Sequence, residues 1–126
     1  MDEFNQALVK KIRQKITSAT ASDHRCGRQN NLTVEAIIAK LYAQKAKCYY
    51  CNHKMKLHEW DAYDRKQFTI ERLNNSRGHW ISQCVIACYG CNTLRHDQMS
   101  AKNFRKKNRS NMFCLVQDYQ GRARVV

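Results

Sequence analysis

CYYC, from Cys48 to Cys51, and TIERLNNSRGHWISQCVIACYGCN, from Thr69 to Asn92, are the two stretches whose reading decides the fold. The first is a Cys-x2-Cys pair, and the second ends in another, Cys88-Tyr89-Gly90-Cys91. Two residues between thiolates let both sulfurs face one ion from a tight turn. Two such turns complete a closed, tetrahedral four-sulfur shell of the kind that holds structural zinc. Such a site does no chemistry itself; it clamps together the two ends of residues 52–87. A redox reading of either pair fits less well, because neither opens a helix in a βαβ context.

Between the pairs, Gln67 to Leu73 alternates, with Phe68 and Ile70 on one side, and predicts a strand. Asn74 to Gly78 predicts a turn, Cys84 to Ala87 a short apolar strand, and a helix is expected from about Asn92. The order is knuckle, polar segment, strand, turn, strand, knuckle, helix: a ββα unit under a zinc clamp. Upstream, Phe4, Leu8, Val9, Ile12 and Ile16 recur at three- and four-residue spacing and predict a helix over Glu3–Thr17. Residues 18–31 read as a polar loop. Thr33 is placed to cap a second helix to about Ala46, with Val34, Ile37, Ile38, Leu41 and Tyr42 inward. Downstream, Ser100 is placed to cap a short helix to about Lys107, and the tail carries apolar residues able to form a strand or a partner surface.

The chain has 126 residues and 43% hydrophobic content, enough for one modest core that a metal would help to hold. The expectation is a single α+β domain: helical residues 1–47, a zinc-clamped ββα core over 48–99, and a basic helix and tail over 100–126. Lys and Arg total 23 against 10 acidic residues, a net charge of +13. A small chain that basic points to a polyanion, first of all nucleic acid. No run of 18 apolar residues exists, so no membrane span is predicted. The opening MDEFNQALVKKIRQKI lacks the uninterrupted apolar core of a secretory signal. Seven cysteines without such a signal favour metal thiolates over disulfides and predict a reducing, intracellular compartment, cytoplasm or nucleus. Cys26, Cys84 and Cys114 are read as core or surface thiols.

Cys48-x2-Cys51 together with TIERLNNSRGHWISQCVIACYGCN resembles the HNH, or ββα-metal, endonucleases, in the subgroup with a four-cysteine zinc site that includes phage and viral nucleases, junction-resolving enzymes and restriction enzymes. The resemblance covers about a third of the chain. It implies a metal-dependent DNA endonuclease with Mg²⁺ or Mn²⁺ as the catalytic ion, RNA remaining open as a substrate, and a homodimer as the family's habit where two strands are cut. Glu71 stands where the family has its metal-binding Asp. Asn92 stands at the helix-borne metal ligand, and His96, one turn on, at the last His of members with two helix ligands. Gln83 stands where an Asn orients the general base. Arg72 stands where many members have the His that is that base.

Arginine does not accept a proton near neutral pH, so Arg72 is assigned a phosphate-facing or transition-state role. The base then comes from elsewhere, with Tyr50, Tyr49, His24 and His79 as candidates. Tyr50 is attractive because the zinc would fix it near the site, where cations favour the phenolate. Gly78 is expected to let the loop approach phosphate closely. Lys102, Arg105, Lys106 and Arg109 form one basic stripe; Lys10, Arg13 and Arg28 form a second cluster, with Lys11 and Lys15 beside it. These stripes are expected to bind DNA phosphates, against the plainer reading of a solvated helix face. A zinc-containing binding or packaging protein on the same scaffold is the alternative to an enzyme.

Overall fold

A computed structural model of the chain describes residues 3–61, 63–74, 76–95, 115–117 and 123–125. Helix α1 spans Glu3–Arg25 and helix α2 Val34–Ala43. Strand β1, Phe68–Arg72, pairs antiparallel with β2, Cys84–Cys88, and α3, Tyr89–Arg95, follows without a break. A second antiparallel pair, β3 (Leu115–Gln117) and β4 (Ala123–Val125), comes last. The ββα unit is therefore β1, β2 and α3.

The register of that unit fixes what faces what. Phe68 lies opposite Cys88, Ile70 opposite Ile86 and Arg72 opposite Cys84. Phe68, Ile70, Cys84, Ile86 and Cys88 join Ile12, Ile37, Leu41 and Tyr50 in one buried cluster. Because side chains alternate along a strand, Thr69 and Glu71 point the other way, where Asn92 and Arg95 of α3 meet them.

Two devices close the margins. Thr33 Oγ1 accepts from Ala36 N at 3.1 Å and caps α2, an interaction worth about 1 kcal/mol. At the other end of α2, the Gln44 amide donates to Ile86 O at 2.8 Å and accepts from Ile86 N at 3.0 Å. Tyr49 N also donates to Ile86 O at 3.0 Å, so a side chain and the first knuckle together cover the outer edge of β2.

Helix α1 runs through residues 18–25, where the polar sequence predicts a loop. Ala19 and Asp23 continue the inner face of Ile12 and Ile16, and both are buried. Helix α3 begins at Tyr89 rather than Asn92, so the second knuckle is itself the first turn of the helix. The basic helix expected from Ala101, with Lys102, Arg105, Lys106 and Arg109, lies outside the described residues, as do His96 and Cys114.

Candidate metal centre and active site

The four knuckle cysteines come together as their spacing predicts. Cys48, Cys51, Cys88 and Cys91 are all buried, with their sulfurs within 4.8 Å of one another. A tetrahedral ion at about 2.3 Å from each sulfur needs sulfurs roughly 3.8 Å apart, so the donor set fits one ion with little adjustment. Backbone N–H groups already point at the sulfurs. Tyr50 N and Cys88 N each donate to Cys48 Sγ at 3.3 Å, and Cys91 N donates to Cys88 Sγ at 3.4 Å. Asn52, at φ 66°, turns the chain back after the first pair, and its N–H donates to Cys48 O. Cys84 stands apart in the core, its thiol pushed up to about 11 by burial.

Above this clamp, β1 and α3 hold a polar cluster. Glu71 is 5% exposed. Its Oε1 lies 3.1 Å from Arg95 Nη1, while its Oε2 is buried with no hydrogen-bond partner. Burial pushes the Glu71 carboxyl above its ordinary value, with the Arg95 guanidinium opposing. Arg95 is the residue that sequence reasoning missed. It is 3% exposed and also donates to Arg72 O at 2.9 Å, Leu73 O at 3.2 Å and Tyr50 Oη at 3.3 Å. The available signal was its position three residues after Asn92, on the same helix face. Asn92 Nδ2 donates to Thr69 Oγ1 at 3.1 Å, which leaves its amide oxygen as an acceptor.

An orphaned buried carboxylate oxygen is costly, of the order of 1–3 kcal/mol or more for a charged group, and calls for a partner. Glu71 and Asn92 line one cavity of about 350 Å³ between α1 and β1. A hard divalent cation takes oxygen ligands of these types. The residues present fit such an ion, with Glu71 Oε2 and the Asn92 amide oxygen as the groups that would hold it.

Lys15, Arg72 and His79 line the same cavity. Arg72 Nη1 donates to Arg77 O at 2.9 Å, so the end of β1 is tied into the loop. His79 and Asp23, which the chain separates by 56 residues, meet at the cavity wall. His79 Nδ1 lies 3.0 Å from both Asp23 carboxylate oxygens, and His79 N donates to Oδ2 at 3.1 Å. Asn30 Nδ2 donates to the same carboxylate at 3.0 Å. Burial pulls the imidazole below its ordinary value, with Asp23 opposing and Arg72 adding to the fall.

Several expectations change. Tyr50 does not reach the cavity as a phenolate. It is 0% exposed, stacked edge-on against Tyr49 at 5.2 Å, and burial together with the Glu71 charge pushes its phenol far above its ordinary value. His24 sits exposed on the last turn of α1, while its neighbour Asp23 is the residue turned inward. Gly78 makes its close approach within the chain. A Cβ there would lie 2.0 Å from Gln29 O, so the glycine lets the hairpin loop press against residues 28–29. Gln83 is exposed at the end of a short 3-10 turn and serves through its backbone, its carbonyl accepting from Leu73 N at 2.8 Å. Lys11 and Lys15 sit over Trp60, at 4.7 and 5.2 Å from the ring centroid. Lys10 and Arg13 are exposed and line an open groove of about 800 Å³ along α1, and Ser18 borders both this groove and the Glu71 cavity.

Comparison with sequence-family profiles and with characterised proteins finds no match. Among solved structures, the chain is similar to the rare-cutting HNH restriction endonuclease PacI, which is described as perturbing DNA. The two share 17% identity over 81% of this chain and 77% of the other, with a TM-score of 0.63. The chain has an HNH-like fold: a small mixed structure of helices and a two-stranded sheet with a four-cysteine cluster at its base.

Proposed function

We propose that this protein is a divalent-metal-dependent endonuclease that hydrolyses DNA phosphodiester bonds, with a structural zinc ion on Cys48, Cys51, Cys88 and Cys91. The observation that carries the reading is the buried, unpartnered Glu71 Oε2 in a cavity lined also by Asn92, with Ser18 bordering both this cavity and the groove that carries Lys10 and Arg13. A Mg²⁺ or Mn²⁺ ion held there would act as a Lewis acid on the phosphodiester and offset charge on the departing oxygen. Arg95 neutralises the other Glu71 oxygen and holds the carboxylate at one orientation. Arg72, anchored through one N–H to Arg77 O, keeps its other N–H groups for a phosphate oxygen. Lys10 and Arg13 lead the DNA backbone along α1 toward the cavity by way of Ser18.

One observation favours a second reading. Arg95 already gives Glu71 a cationic partner, which is what a binding protein that had dispensed with the catalytic ion would need. The two readings separate in a nicking assay on supercoiled and branched DNA, with Mg²⁺ or Mn²⁺ against EDTA. Wild type is expected to cut only with the ion, and Glu71→Ala and Asn92→Ala to lose at least 10²-fold in rate, about what a positioned charge-stabilising group supplies. Metal analysis is expected to find one zinc per chain in all three proteins. No cutting with either ion would leave the binding-protein reading; cutting in EDTA, or mutants as fast as wild type, would instead remove the catalytic ion from Glu71 and Asn92.

A further inference from the structure

The proposed reaction lacks a proton acceptor on β1, where Arg72 stands. We infer that His79, supplied by the hairpin loop and held by Asp23 of α1, is the general base of the site. The inference rests on the nuclease reading above and assigns a task to two residues that reading leaves unused.

The geometry is specific. Asp23 is 1% exposed and directs its carboxylate at His79 through three contacts: Nδ1 to each oxygen and the backbone N–H to one. A carboxylate accepts only, so Nδ1 carries the proton and Nε2 presents its lone pair. The ring's hydrogen bonds among the described residues are all made by Nδ1, and His79 is one of the residues lining the cavity shared with Glu71, Arg72 and Asn92. An Asp that fixes the tautomer of a His at a reaction cavity is the arrangement that general-base catalysis needs. The surrounding charges act together. Asp23 on α1 raises the basicity of the imidazole, and Arg72 on β1 lowers it. Lys15 on α1 and Glu71 on β1 line the same cavity.

The step balances as follows. Nε2 takes a proton from a water molecule as the water oxygen bonds to phosphorus. The bond from phosphorus to the 3′ oxygen breaks, and that oxygen keeps the bonding pair and takes a proton from bulk water. The imidazolium then returns its proton to solvent. The products are a 5′-phosphate and a 3′-hydroxyl. His79 is here a catalytic residue; Asp23 is a positioning residue that acts through it.

The test uses the full-length, zinc-loaded protein. In single-turnover nicking, His79→Ala is expected to be slower by roughly 10²–10⁴-fold, with DNA affinity in Ca²⁺ within about threefold of wild type. The wild-type rate is expected to fall on the acid side as His79 protonates, below about pH 6.5 because its value is lowered. Asp23→Asn removes the charge that raises His79, so that acid limb is expected to move to lower pH as the rate drops; a purely structural Asp23 would lower the rate without moving the limb. An ¹⁵N NMR spectrum of the wild-type imidazole, recorded without Mg²⁺ or Mn²⁺, is expected to show Nδ1 protonated and Nε2 bare. The inference is overturned if wild type cuts and His79→Ala cuts within threefold of it, if Asp23→Asn leaves the limb in place, or if Nε2 is the protonated nitrogen. If His79→Ala loses its zinc, the isosteric His79→Gln and the wild-type spectrum decide. Wild type that cuts with neither ion instead defeats the nuclease reading, and this inference with it.

Discussion

Arg95 is a buried cation that ties the end of β1 to the first knuckle through Tyr50 Oη. It donates to two successive backbone carbonyls, Arg72 O and Leu73 O, and pairs with Glu71. Arg95→Met therefore leaves a buried carboxylate without its cationic partner. The expected loss is about 3–5 kcal/mol, as for other buried pairs broken on one side. Arg95→Met with Glu71→Gln removes both charges and should recover much of that loss. Urea denaturation of the two single variants and the double variant measures the coupling, and additive effects would show that the pair contributes nothing to the fold. Arg95 also shows how far sequence alone reaches at this scale. Glu71 and Asn92 could be singled out because they sit beside the cysteine pairs in a recognisable order, and the structure brings both to one cavity. Arg95 was not, because a lone Arg at a helix end is ordinarily solvated, and only the face it shares with Asn92 betrays it. His79 could be named as one candidate base among several. Its partner Asp23 lies in another element, and no local pattern links the two.

At the scale of elements, the hairpin loop is shaped by what it touches. Gly78 presses against the Gln29 carbonyl, and the next residue, His79, binds Asp23 with its backbone and its ring. Gly78→Ala forces a backbone contact apart, since a Cβ would lie 2.0 Å from Gln29 O. The expected cost is about 1–3 kcal/mol, the range for overpacking a rigid contact, read from the urea midpoint. The same variant should also cut more slowly by shifting His79, whereas Thr33→Ala should lose about 1 kcal/mol of stability and keep its rate. The strands, α2 and the ββα order were legible from alternation, a capping Thr and the knuckle spacing. The far end of α1 was not. SATASDHR is rich in residues that favour caps and turns, and it is helical because Ala19 and Asp23 are buried by contacts that no sequence window contains. The early start of α3 has a similar cause: the knuckle backbone is held by N–H groups aimed at sulfur, which a helical turn supplies.

For the whole molecule, a net charge of +13 and a groove that carries Lys10 and Arg13 toward the cavity set the expected response to salt. DNA affinity should fall linearly on logarithmic axes as salt rises, with a slope of about −0.9 per phosphate neutralised. Lys10→Ala with Arg13→Ala should flatten that slope by about 1.8, two contacts' worth, in fluorescence anisotropy titrations. An unchanged slope would remove α1 from the binding path. The cavity has one wall from α1 and the other from β1, and Asp23 and His79 lie 56 residues apart. Asp23 and one wall of the cavity therefore depend on the docking of α1 against the ββα unit. The four cysteines depend on it less, since all of them lie in the first knuckle, β2 and α3. On the proposed reading, a chain whose α1 has come away would keep its cysteine cluster and lose the groups that hold His79, so nicking would vanish under mild denaturation before bound metal does.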